Sequence, residues 1–95
     1  MTNEFFNTAG TDRNRQVVCA DGFTMSVQAF DGGYCDPRMN GAEKYTSVEV
    51  GYPSEREELL MEWAEEPDKP TQTVYGYVPV QVVTNVLAKH GGIVD

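Results

Sequence analysis

Few side chains in this sequence could carry covalent or acid–base chemistry. There is one histidine, His90, and there are two cysteines, Cys19 and Cys35. Cys35 with His90 as its base is the one conceivable nucleophile pair, and nothing in the spacing brings the two together. His90 plots inside the apolar arc of a C-terminal helix, in its last turn. There an imidazole can cap the final carbonyls and complement the helix dipole. Two cysteines and one histidine do not supply the usual four-ligand zinc set. Asp31, Asp36 and Glu43 have no EF-hand spacing, and Gly32-Gly33 and Gly91-Gly92 lie in no phosphate-loop pattern. The expectation is a non-enzymatic protein with no cofactor and no metal, whose two cysteines are reduced and structural.

The abundant chemistry is negative charge. Fifteen acidic residues face seven basic ones, a formal net charge of −8 in 95 residues. Glu55, Glu58, Glu62, Glu65 and Glu66 fall within an arc of about 100° when plotted at 3.6 residues per turn. As one helical stripe they would span roughly 16 Å, or about 4 Å per charge, close to the ~3.4 Å per phosphate of a single DNA strand. Glu65 and Glu66 would then sit at a helix C-terminus, where the macrodipole disfavours them by ~0.3–1 kcal/mol each. A local rule broken without visible compensation is a pointer to function. Two readings follow: a contact surface for a basic partner, or a solvated face that keeps a small protein soluble.

The tyrosines are the second group. Tyr75 and Tyr77 alternate in a short β-rich run, so period two puts both on one side of a strand. If Val74 and Val78 face the core, the tyrosines face the opposite side of the sheet. Tyrosine is a common interface anchor, and a one-sided sheet with partly solvated tyrosines is the simpler alternative.

The elements that must position these residues are legible in outline. Residues 16–20 and 23–30 flank Asp21-Gly22, a strong hairpin signal, with Phe23, Met25, Val27 and Ala29 alternating onto one face. Residues 31–44 form a long loop rich in glycine. Residues 45–50 are a third strand with Thr46, Val48 and Val50 on one face. Ser54-x-x-Glu57 matches a capping box for an α-helix over 55–65, stopped by Pro67, with Leu59, Leu60, Trp63 and Ala64 on its core side. Residues 74–78 are a fourth strand. Pro79 then opens a helix to His90, with Val82, Val83, Val86 and Leu87 inward and Gly91 as its C′ residue. The order β-β-β-α-β-α implies an α+β fold: an antiparallel sheet of about four strands with two helices over one face. Residues 1–14 read as a loosely ordered N-terminal segment whose Phe5 and Phe6 dock on the body, and 15–95 as a single domain.

Composition also excludes partners. The seven basic residues are scattered singly, which disfavours direct binding to nucleic acid or to an anionic membrane. No apolar run approaches the length of a membrane span, and the first ten residues lack the basic and apolar regions of a signal peptide. A cytoplasmic protein, monomer or homodimer, is expected.

The stretch YTSVEVGYPSEREELLMEWAE (residues 45–65), followed by TVYGYVPVQVV (residues 73–83), resembles the small acidic proteins encoded by bacteriophages and prophages. Among these, anti-CRISPR and other anti-defence inhibitors are prominent. The resemblance is one of type, since such proteins share no common motif from which residues could be carried over. It implies an inhibitor that occupies the nucleic-acid-binding surface of a host complex, for example a CRISPR effector, in the host cytoplasm. The partner-binding candidates come from the residues themselves: Glu55, Glu58, Glu62, Glu65 and Glu66 as the charged contact, and Tyr75, Tyr77 or the 31–44 loop as apolar anchors. The alternative from the residues alone is a small assembly module that self-associates through an exposed sheet face.

Overall fold

The computed structural model describes residues 16–94. The N-terminal segment expected over 1–14, with Phe5 and Phe6, lies outside the described residues. Four strands form one antiparallel sheet in sequential order: β1 (Val17–Val18), β2 (Thr24–Gln28), β3 (Ser47–Gly51) and β4 (Val74–Pro79). A 3₁₀ helix (Glu58–Trp63) lies between β3 and β4, and one α-helix, α1 (Val80–Lys89), follows β4 directly. The fold is α+β, in the expected order.

The hairpin forms where Asp21-Gly22 predicts it. Val17 pairs with Met25 and Val18 with Thr24, while the Cys19 N–H donates to Phe23 O and the Gly22 N–H to Cys19 O, both at 2.9 Å. Gly22 has φ +94°, a conformation in which a side chain is strained. Phe23, Met25, Val27 and Ala29 are all buried, because alternation sends every second side chain to the core face. On β3 Val48 and Val50 join them, whereas Thr46, expected on the same face, is exposed and lies ahead of the strand.

α1 buries Val83, Val86 and Leu87, with Val82 half-buried. Pro79 serves as its N-cap. At its other end the Gly91 N–H donates to Ala88 O and the Gly92 N–H to Leu87 O. That pair is a Schellman motif, and it fits the φ of +90° at Gly91.

Both edges of the sheet are covered by chain. Beside β1 the C-terminal segment adds a short ladder: Ala20 N–H to Gly92 O (3.0 Å), Val94 N–H to Val18 O (2.8 Å) and a Cys19–Ile93 bridge. Beside β4, Glu65 N–H donates to Val74 O (3.1 Å), Ala64 bridges Tyr75, and Tyr77 N–H donates to Tyr34 O (2.9 Å). Covered edges cannot template pairing with another strand.

One expectation of this region is overturned. The α-helix over 55–65 is a six-residue 3₁₀ helix instead. Ser54 does not cap it: its Oγ accepts from Thr24 N–H at 3.0 Å and ties this turn to β2. Glu57 is the N-cap, its carboxylate accepting from Leu59 N–H. The cause is tertiary, because the Glu57 carboxylate is held in the interior and Ala64 is drawn out to bridge Tyr75. Only a short, tightly wound stretch remains between these two anchors. Leu60 is buried, Trp63 and Ala64 are half-buried, and Leu59, expected inward, is 42% exposed.

Candidate functional surface

The five glutamates singled out by the sequence, Glu55, Glu58, Glu62, Glu65 and Glu66, are all exposed. They do not form one helical stripe. At about 120° per residue, Glu58 and Glu62 sit roughly 120° apart around the 3₁₀ axis, against about 40° on an α-helix. Glu55 precedes the helix, and Glu65 and Glu66 follow it. Ala64 is already extended, with ψ 130°, so the helix-terminus penalty expected at Glu65 and Glu66 does not arise there. The match in charge spacing to a single DNA strand, which depended on an α-helix, is lost with it.

A dense acidic ribbon is retained. Residues 55–69 carry seven acids and two bases, and among the described residues only Glu58 of the five glutamates is in an ion pair, with Arg56. That exposed contact holds the Glu58 carboxyl below, and the Arg56 guanidinium above, its ordinary range.

The two tyrosines part company. Tyr75 is fully buried, and its hydroxyl donates to Pro70 O; burial pushes its pKa up. Tyr77 is 47% exposed. The reason is a β-bulge: Val48 pairs with Val78 and Val50 with Tyr75, so β4 has one residue more than β3 between the two pairs. An extra residue resets the alternation, so Tyr75 and Val78 both face the core. Tyr77 takes φ +56°, an uncommon conformation for a bulky residue. Its ring lies 6.1 Å from that of Tyr34, and the Arg38 guanidinium sits 5.7 Å over Tyr34. A side chain at Gly76 would meet Tyr34 Cβ at 3.2 Å, so glycine permits this close approach. Tyr75 is therefore removed from the candidate contacts, while Tyr34, which the alternation of β4 could not bring in, stands beside Tyr77.

The cysteines and the histidine are engaged in the interior. Cys19 and Cys35 are buried free thiols, and burial pushes both pKa values up, away from the thiolate that attacks or binds metal. Cys35 Sγ lies 3.3 Å from both Phe30 O and Pro37 O. His90 does not cap the carbonyls of α1 with its ring, as expected from sequence. Instead Nδ1 meets Asp21 Oδ2 at 2.6 Å and Nε2 meets Glu57 Oε1 at 2.7 Å. Glu57 also holds Lys89 Nζ at 2.9 Å.

This corner escaped the sequence reading because its members are 33 and 69 residues apart. One signal was present: the plot that turns Leu60 and Ala64 inward places Glu57 about 20° from Ala64, at the edge of the same arc. Among the described residues no group of His, Cys, Asp and Glu could hold a metal ion, and no helix is long and apolar enough to cross a membrane. Comparison with protein-family models, curated proteins and solved structures finds no match to this chain.

Proposed function

We propose that this is a non-enzymatic binding protein whose acidic ribbon, Glu55 to Glu66, engages a basic surface on a nucleic-acid-binding partner. The observation that carries this reading is the exposure of all five glutamates, with a single ion pair to them among the described residues. Unpaired exposed carboxylates create a field that steers a positively charged partner and raises its association rate. Tyr77 and Tyr34, both exposed, lie along the same β4 edge as Glu65 and supply the apolar anchors that a charged rim lacks. The buried, protonated thiols and the fully engaged histidine favour binding over catalysis. In keeping with the resemblance to phage-encoded anti-defence inhibitors, the partner is a host defence complex such as a CRISPR effector, met in the host cytoplasm. Self-association through an exposed sheet face draws less support, since the face opposite the core presents Thr24, Ser26 and Glu49 only half-exposed and has Gln28 and Ser47 buried.

The test is affinity capture from bacterial lysate at low and high salt, with wild type and with a Glu58→Gln, Glu62→Gln, Glu65→Gln variant. A nucleic-acid-binding complex should be retained at low salt, reduced at high salt, and depleted about tenfold by the triple variant. Equal retention by the variant, or recovery of the protein alone, would make the ribbon a solubilising face.

A further inference from the structure

His90 is the chain's single histidine, is 5% exposed, and has a carboxylate on each ring nitrogen. An ionised carboxylate only accepts hydrogen bonds, and a neutral imidazole has one donor. A neutral ring would satisfy one partner and turn a lone pair on the other. The remaining carboxylate oxygens are already met by donors. Asp21 Oδ1 accepts from Phe23 N–H at 2.9 Å, and Glu57 Oε2 accepts from Leu59 N–H and Lys89 Nζ, each at 2.9 Å. Neither carboxyl therefore needs a proton of its own. Phe23 stacks on the imidazole at 4.0 Å with an interplanar angle of 11°, a contact that favours a cationic ring.

We propose that His90 is a charged latch: its imidazolium ties the β1–β2 turn, the turn before the 3₁₀ helix and the end of α1 together, and its deprotonation loosens that corner. The groups around it balance in charge. Asp21 faces the ring from the β1–β2 turn, with the Cys19 thiol near that carboxylate; Glu57 faces it from the 3₁₀ side, with Glu58 farther out; Lys89 of α1 shares Glu57. Two carboxylates, one ammonium and one imidazolium sum to zero, and a neutral ring leaves a net negative charge around the buried His90–Glu57 contact. The C-terminal segment hangs on the same corner, since Asp21 N–H donates to His90 O and Ala20 N–H to Gly92 O.

Burial pushes the ring toward neutrality, but the hydrogen bonds to Asp21 and Glu57 outweigh it and hold its pKa above the ordinary 6.5. Burial likewise raises Glu57, yet the bonds from Leu59 N–H, Lys89 and His90 prevail and leave it lowered. Asp21 is lowered by the Phe23 N–H first and by His90 next. A raised histidine stabilises fully below its unfolded value, and that contribution is lost as pH rises through the folded value. The lowered carboxylates contribute above their unfolded values and lose that contribution as pH falls through the folded ones. The latch is complete between these limits.

Nitrogen NMR of the single imidazole is the direct test. At pH 6.5 most of the signal should be the doubly protonated ring, with a midpoint above 6.5, and the Phe23 and Leu59 amide shifts should follow the same midpoint. Asp21→Asn, a change at a half-exposed side chain, should lower that midpoint by about one pH unit. A ring mostly neutral at pH 6.5, a midpoint unchanged in Asp21→Asn, or amide shifts that ignore the titration would each overturn the proposal.

Discussion

Glu57 and Glu58 are neighbours of one residue type with opposite fates. Glu58 is exposed and paired only with Arg56. Glu57 is fully buried and holds a backbone N–H, an ammonium and an imidazole. Both contribute equally to any count of charge, yet one shapes the field outside the protein and the other organises its interior. The lesson is that an acidic run is not one functional unit. A buried carboxylate is tolerable only with its lone pairs and charge matched, and here that matching decides where the helix starts. Tyr75 and Tyr77 repeat the contrast, two residues apart, with a bulge dividing buried from exposed.

Each contrast can be broken. The largest effect is expected from Glu57→Ala, which strands His90 and Lys89: about 3–5 kcal/mol of stability lost in urea unfolding, as when one partner of a buried pair is removed. Glu62→Ala should leave the urea midpoint where it was, and equal midpoints for the two variants would refute the division. The 3₁₀ helix offers a sharper comparison within its apolar residues. Leu60→Ala should cost about 2–5 kcal/mol, and Leu59→Ala under about 1 kcal/mol; comparable losses would restore the α-helical face read from sequence. The smallest effect concerns the bulge. Tyr77→Gly should raise thermal stability by roughly 0.5–1 kcal/mol by relieving a left-handed conformation, while weakening partner capture. A loss of stability would mean that the Tyr77 ring supports the fold.

What sequence alone determined was local and periodic. The Asp21-Gly22 turn, the alternation of Phe23, Met25, Val27 and Ala29, and the inward face of α1 all follow from spacings of two and 3.6 residues. The glycine at the end of α1 needs only its own backbone conformation. From these the α+β class and the element order follow. The acidity of residues 55–69 is likewise a property of the chain.

Only tertiary structure decided the rest. Ser54-x-x-Glu57 is a sound capping box locally, but Thr24 N–H claims the serine, and Lys89 and His90 claim the glutamate. A six-residue helix has little cooperativity of its own with which to resist. The extra residue of β4 is defined only against β3, so no inspection of residues 74–79 alone could separate Tyr75 from Tyr77. His90 announces itself as one histidine near an apolar face, and its charge state depends on Asp21 and Glu57, which meet it only when three distant segments pack at one corner. Periodicity reports which side of an element is apolar; which polar group a buried polar group meets is settled by the packing of the whole chain.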